Sequence, residues 1–226
     1  MLYFNYLIYI LPGLLLAFYA QARISSNYEK YSNILNSTGL TGKEVAKKIL
    51  DRNNLSFIEI ENISGHLTDH YDPRSKVLRL SQSVYDSKSI AAAGIAAHEV
   101  GHALQHAEGY LFLRIRNILV PAANFGSHFS YILIAVGIFF QNFLVDIGVA
   151  LFAIVVLFQL ITLPVEFNAS NRAKIQLSNG IIKEENMYGV NKVLTAAALT
   201  YVASLLTAIG TLLRLLAVAN GSRRRN

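Results

Sequence analysis

The pattern His-Glu-x-x-His, formed by His98, Glu99 and His102, has the residue types and spacing for metal chemistry. In an α-helix, residues four apart lie on one face, so the two imidazoles can bind a single metal ion. Glu99 would then lie near a water molecule on that ion, where a carboxylate serves as a general base. The pattern therefore predicts a zinc hydrolase with one zinc ion per chain and Glu99 as its catalytic residue.

A third ligand is needed, because catalytic zinc usually has three protein ligands and one open position. The chain has no Cys, so the candidates are histidines and carboxylates. His106 would lie about 12 Å from His98 along the helix axis, too far to share one ion. Glu166 is preferred because it follows an apolar segment, where an unpaired carboxylate is unfavourable. A helix-start glutamate stabilised by the helix dipole is the alternative interpretation of Glu166. The remaining histidine candidates are His66, His70 and His128.

Four apolar segments are long enough to cross a bilayer, and 53% of the residues are hydrophobic. They cover residues 2–20, 124–141, 147–165 and 194–213. The first segment lacks a charged leading region and is too long for a signal peptide, so we expect an uncleaved anchor. These segments predict a mainly α membrane protein with about four transmembrane helices.

Between the first two spans, the sequence predicts a small α+β metalloprotease region. Thr41 and Glu44 form a capping box at the start of a helix. Residues 57–61 alternate as a strand does, and residues 67–71 and 76–80 flank a turn and predict a β-hairpin. A helix over residues 90–108 carries the His-Glu-x-x-His pattern and ends before Gly109. The strand at residues 76–81 either binds an extended substrate through its edge or only packs in the sheet.

The chain thus divides into five predicted regions. They are an anchor (1–20), a catalytic region (21–123), a transmembrane hairpin (124–165), a helix that starts after Pro164 and carries the third ligand (166–193), and a transmembrane helix with a basic tail (194–226).

The net charge of +6 comes from dispersed Lys and Arg residues, and no nucleic-acid motif is present. The turn between the second and third spans has no Lys or Arg, whereas the regions on the other side of the membrane have several. By the positive-inside rule, the catalytic region is cytoplasmic in a multi-pass membrane protein. The basic tail at Arg223–Arg225 opposes this arrangement, unless the last apolar segment is re-entrant or interfacial.

Four strings resemble the bacterial neutral zinc membrane metallopeptidases, the YugP-like family, over most of residues 1–210. The strings are 70–74 (HYDPR), 78–81 (LRLS), 96–103 (AAHEVGHA) and 164–167 (PVEF). The order of motif helix, two spans and glutamate also resembles the gluzincin layout of heat-shock and prenyl-protein membrane endopeptidases. This resemblance implies that His98, His102 and Glu166 are zinc ligands. It also implies polypeptide substrates that are membrane or membrane-proximal proteins, and that the membrane is the bacterial cell membrane.

The chain departs from these patterns where the family has a carboxylate near the ligands. Asn168 stands where the family pattern has an aspartate, and Ser170 stands where the heat-shock type has one. Such residues commonly orient a ligating histidine through its second nitrogen, so Asn168 and Ser170 are candidates for that role. The oxyanion of the reaction needs a further donor, for which the candidates are Arg172, Tyr188, His128 and His70.

Two other functions compete with a peptidase. A zinc-binding membrane scaffold would need a fourth ligand that closes the site, and the sequence has no obvious one. A metal transporter would usually carry ionisable residues inside its spans, and the spans after the first are nearly free of charge. We therefore expect a membrane-embedded zinc endopeptidase that acts on a polypeptide and binds no nucleic acid.

Overall fold

The computed structural model describes residues 2–140 and 142–223, in which long helices predominate. The helices are α1 (Leu2–Ser32), α2 (Gly42–Arg52), α3 (Gln82–Tyr85), α4 (Ile90–Ala107), α5 (Leu111–Phe139), α6 (Asn142–Ser178) and α7 (Glu184–Arg223). The strands are β1 (Glu59–Ile63), β2 (His70–Asp72) and β3 (Val77–Ser81). The prediction of a mainly α fold with a small α+β region is confirmed.

The chain forms two compact units, and α1, α6 and α7 each contribute residues to both. Among the described residues, the helical unit comprises 2–20, 111–140, 142–164 and 199–223. The mixed unit comprises 21–110 and 165–198 and contains all three strands.

Four helices are long and apolar enough to cross a membrane, as the sequence predicted. The candidate spans are Leu7–Ser32, Leu111–Phe139, Phe143–Ser178 and Glu184–Gly221. Small residues allow close helix packing in the helical unit, as is common between membrane helices. A Cβ atom at Gly126 of α5 would lie 2.6 Å from the carbonyl oxygen of Leu151 of α6. Such contacts let helix backbones pack closely in lipid, where the hydrophobic effect does not drive helices together.

Helix α6 differs from the prediction of a new helix after Pro164, because it continues without interruption from Asn142 to Ser178. Proline removes one backbone hydrogen bond, and membrane helices tolerate this loss. Predicted region 166–193 is therefore the end of α6, a turn with Gly180 at φ 79° and the start of α7. Helix α7 also runs without a break, from Glu184 to Arg223. Of the basic tail, Arg224 and Arg225 lie outside the described residues.

The predicted hairpin is present in the mixed unit, but β3 lies in the centre of a three-stranded sheet with the order β1-β3-β2. Strand β2 pairs with β3 antiparallel, and β1 pairs with it parallel. The hypothesis that β3 offers a free edge to substrate is therefore wrong, since both of its edges are paired. The parallel pairing of β1 could not be read from a strand pattern alone.

Helix α4 lies at the centre of the core of the mixed unit. The predicted capping box of Thr41 and Glu44 begins α2, whose buried face carries Val45 and Ile49. This face, Leu78 and Leu80 of β3, and residues 165–198 contribute to one apolar cluster around α4. Burial on most sides gives α4 a fixed position, which a precise site requires.

Candidate metal centre

Helix α4 carries the two histidines of the pattern on one face. The Ser89 hydroxyl accepts a hydrogen bond of 3.1 Å from the Ala92 amide and caps the helix start. The helix ends at Ala107, and Gly109 follows shortly after it with a φ of 65°, which suits a residue without a side chain. The imidazole rings of His98 and His102 have centroids 4.9 Å apart and planes at 87°. One helical turn therefore brings both rings to one place.

Helix α6 supplies the carboxylate that faces these rings. Its inward stripe, at helical spacing, comprises Glu166, Ala169, Ser170, Ala173 and Leu177, all buried. Gly101 of α4 lies directly against Ala169, because a Cβ atom there would come within 2.5 Å of the Ala169 carbonyl oxygen. This close contact of the helix backbones brings the start of the stripe to the histidines.

Three side chains thus converge: His98, His102 and Glu166, here called the ligand trio. The Glu166 Oε2 atom lies 3.3 Å from His98 Nε2 and 3.6 Å from His102 Nε2. All three atoms lie within 4.8 Å of one another. Ligand atoms bound tetrahedrally to zinc at about 2.0–2.1 Å are separated by about 3.3 Å. The spacing therefore fits a zinc ion.

The surroundings of Glu166 support the same fit. Its side chain is 4% exposed, and its Oε2 atom is buried without a hydrogen-bond partner in the described chain. The distances to the imidazoles exceed the 2.7–2.9 Å of a charge-assisted N–H···O bond. A buried carboxylate oxygen without a partner is unfavourable, and a cation bound by the ligand trio would satisfy it.

The second nitrogen of each histidine has a polar partner. Ser170 Oγ lies 3.1 Å from His98 Nδ1, and Gln105 Oε1 lies 3.0 Å from His102 Nδ1. Ser170 is thus in the place predicted for a residue that orients a ligand. Gln105 was missed by the sequence analysis, although its position three residues after His102 indicates the same helix face.

Glu99 is half-buried beside the ligand trio. Burial raises the pKa of its carboxyl group, against the opposing effect of His98 and His102. Among the described residues, no hydrogen bond engages its carboxylate, which leaves both oxygens available to a water molecule or a substrate.

Asn168 and Arg172 are linked to His102 through the side chain of Gln105. Asn168 Oδ1 accepts hydrogen bonds from Gln105 Nε2 at 3.0 Å and from Arg172 Nε at 2.7 Å. Arg172 also forms a bidentate pair with Glu108 at 2.6 and 2.7 Å, which lowers the pKa of Glu108. The Arg172 guanidinium is therefore occupied by hydrogen bonds that hold Asn168 and Glu108 in position.

The other candidate histidines have different partners. His70 is exposed on β2 and its Nδ1 bonds to the carbonyl oxygen of Thr68 at 2.8 Å. His106 Nδ1 bonds to the Tyr71 hydroxyl at 2.9 Å, and the His66 ring packs edge-on against Tyr28. His128 belongs to the helical unit and bonds to Asn124 and Ser127. Within the described residues, none of them joins the ligand trio.

Tyr188, the remaining candidate oxyanion donor, is exposed on α7. Lys192 lies over its ring at 5.0 Å from the centroid.

Comparison with known proteins agrees with this geometry. The profile of a family described as "putative neutral zinc metallopeptidase" matches residues 6–220. The chain is 49% identical over 213 residues to the "putative membrane protease YugP" of Bacillus subtilis, covering 93% of this chain and 95% of that protein. No solved structure gives a significant match. With a profile match over nearly its whole length and half of its residues shared with a relative, the chain belongs to the neutral zinc metallopeptidase family.

Proposed function

We propose that this chain is a membrane-embedded, zinc-dependent endopeptidase that hydrolyses peptide bonds of membrane or membrane-proximal proteins. The observation that carries the proposal is the convergence of the ligand trio beside Glu99. Membership of a zinc metallopeptidase family and similarity to a protein named as a membrane protease support it.

The ligand trio would hold the zinc ion. His98 and His102 would bind through Nε2, since their Nδ1 atoms have other partners, and Glu166 would bind through Oε2. When bound, zinc supplies Lewis acidity, which lowers the pKa of a coordinated water to about 7 and polarises the scissile carbonyl group.

Glu99 would act as the general base and then as the general acid. Its carboxylate takes a proton from the attacking water and donates it to the nitrogen of the leaving amine. The half-buried position beside the histidines favours this role, because a carboxylate without hydrogen-bond partners is free to exchange protons. Helix α4 and the buried face of α6 would hold these groups in register while the peptide bond breaks.

The composition of the site favours a catalytic role over a structural one. Structural zinc sites are usually closed by four protein ligands. Within the part of the chain that the structure describes, no fourth histidine or carboxylate joins the ligand trio. A three-ligand set with one position left for water is typical of zinc hydrolases.

We also propose that the site faces the cytoplasm of the bacterial cell. Lys and Arg residues are abundant in the mixed unit and missing from residues 140–146, which comprise the connection between α5 and α6 and the first residues of α6. The positive-inside rule, which counts Lys and Arg rather than net charge, supports a cytoplasmic position for such a region.

Replacement of Glu99 tests the reaction separately from zinc binding. We expect Glu99→Gln to bind one zinc ion per chain, like the parent, and to lose cleavage of a membrane-protein substrate by at least about 100-fold, the contribution of general acid–base catalysis. Zinc content by metal analysis and cleavage by the detergent-purified protein are the two measurements.

Glu59→Gln, an exposed change on β1, is the matched control and should leave both quantities unchanged. A Glu99→Gln protein that cleaves as fast as the parent would exclude the assigned general base. A parent protein that binds no zinc would exclude the proposed function altogether.

A further inference from the structure

Gln105 is a fully buried amide that connects the site to α6. Its side chain is inaccessible to solvent, and all its polar atoms have partners. The Oε1 atom faces His102 Nδ1 at 3.0 Å. The Nε2 group donates hydrogen bonds to the carbonyl oxygen of Val165 at 2.7 Å and to Asn168 Oδ1 at 3.0 Å.

The orientation of this amide follows from the chemistry of its neighbours. The Arg172 guanidinium can only donate, so the Asn168 atom at 2.7 Å from Arg172 Nε must be the oxygen. The carbonyl oxygen of Val165 can only accept, so the Gln105 atom that faces it must be the NH2 group. The Gln105 oxygen therefore faces His102.

This orientation determines which nitrogen of His102 carries the hydrogen. An amide oxygen can only accept, so His102 Nδ1 must donate. In the neutral imidazole, the Nε2 atom then keeps its lone pair, and it is this atom that faces Glu166 Oε2 at 3.6 Å. His98 differs, because its partner Ser170 is a hydroxyl group that can donate or accept.

We propose that Gln105 is a positioning residue for His102, which holds the imidazole with a bare Nε2 atom toward the metal. Asn168 and Arg172 act through Gln105, because they determine how its amide is turned. The Glu108 carboxylate in turn holds the Arg172 guanidinium by two hydrogen bonds. A neutral amide thus performs the orienting role for which many zinc sites use a carboxylate. The inference rests on the proposed zinc site.

Zinc affinity of the full-length, detergent-purified protein tests this role. Gln105→Met keeps the size of the side chain and removes its hydrogen bonds to His102. We expect zinc affinity, measured by competition with a chromophoric chelator, to fall by about 10–100-fold, as for other residues that orient ligands. The visible absorption bands of Co2+ bound in place of zinc should shift, because the geometry of the imidazole changes.

Gln176→Met is the matched control, since it makes the same change in an amide of α6 that pairs with Asn53. It should keep the affinity for zinc and the Co2+ spectrum of the parent. Parent affinity in Gln105→Met, or an equal loss in Gln176→Met, would overturn the proposal. A purely structural role would lower the unfolding temperature of the metal-free protein without changing these two readouts.

Two variants of Asn168 test the same path if Gln105→Met does not fold. Asn168→Asp keeps an oxygen that accepts from both Gln105 and Arg172, so we expect parent affinity for zinc. Asn168→Leu removes that oxygen and should weaken zinc binding by about 10-fold. Equal affinities in the two variants would overturn the proposal. If the parent binds zinc but cleaves no substrate, the proposed function fails while these affinities still decide the role of Gln105.

Discussion

At the scale of single residues, Glu166 combines burial with a charge that the protein alone does not satisfy. Its side chain is 4% exposed, and its Oε2 atom is without a hydrogen-bond partner in the described chain. Such a group destabilises the metal-free fold, and a bound cation would relieve this effect. Functional sites of this kind lower the stability of the metal-free protein. An atom that is hydrogen-bonded within the protein would not be available to a metal.

Replacement of Glu166 should therefore affect the metal-free and the zinc-loaded protein in opposite directions. We expect Glu166→Gln at pH 8 to unfold at the same or a higher temperature than the metal-free parent. Zinc at about 100 times the parent's dissociation constant should stabilise the parent by about 2.7 kcal/mol and the variant by much less. Thermal unfolding in detergent, with and without zinc, measures both effects.

Glu185→Gln on α7 is an exposed control and should behave like the parent in both states. An undiminished zinc stabilisation of Glu166→Gln would exclude Glu166 as a ligand.

The residues of the site also differ in whether a sequence motif could identify them. His98, Glu99 and His102 could be identified because a four-residue spacing in a helix already places the imidazoles together. Gln105 could not be identified in this way, since an amide near a motif has many possible partners. Its role depends on Val165 and Asn168, which come from another helix.

At the scale of elements, the contact of α4 with α6 determines the geometry of the site. Gly101 allows this contact, because its missing side chain leaves room for the Ala169 backbone. A glycine inside a helix is unfavourable by about 1 kcal/mol relative to alanine, so its presence at position 101 indicates either close helix packing or space for the metal. The packing interpretation agrees with the structure, and the packing in turn brings Glu166 to the histidines.

A methyl group at position 101 should therefore disturb the site. We expect Gly101→Ala to destabilise the protein by about 1–3 kcal/mol, despite the gain of about 1 kcal/mol in helix propensity. The added Cβ atom, 2.5 Å from the Ala169 oxygen, must displace α6, so zinc affinity should also fall. Chemical denaturation and chelator competition are the measurements.

Gly94→Ala on the same helix provides the control. Its Cβ atom would lie 3.6 Å from Val190, an ordinary contact, so this variant should be as stable as the parent or more stable. Equal stability of Gly101→Ala and Gly94→Ala would contradict the packing argument.

At the scale of the whole molecule, four helices are long and apolar enough to cross a membrane, and the mixed unit is rich in charged residues. Helix α6 has 37 residues and is about 55 Å long, more than the roughly 30 Å of a hydrocarbon core. One continuous helix can therefore cross a bilayer and still carry side chains such as Glu166 at or beyond the membrane boundary.

The proposed orientation can be tested directly because the chain has no Cys. Single cysteines at exposed positions would be the only thiols that a membrane-impermeant maleimide can label. We expect Phe140→Cys, at the connection of α5 and α6, to be labelled in intact cells. Ser56→Cys, in the mixed unit, should be labelled only after permeabilisation. Labelling in the reverse order would place the site outside the cytoplasm.

The sequence by itself determined the features that depend on local periodicity and local chemistry. These are the four apolar helices, the capped helices, the hairpin and the motif helix with its two histidines. Each depends on residues within a few turns of one another. The sequence predicted a new helix after Pro164, whereas α6 continues through this residue. The presence of a proline does not indicate whether the surrounding apolar helix tolerates it.

Only the tertiary structure decided which distant groups meet. A local pattern favoured Glu166 but did not bring its carboxylate to His98 and His102. Nor does such a pattern place β1 parallel to β3 or turn the Gln105 amide toward His102. These outcomes depend on how helices approach one another, and the approach of α4 to α6 depends on a single missing side chain at Gly101. Close packing makes such contacts specific, because each contact forms only when the neighbouring contacts are also formed.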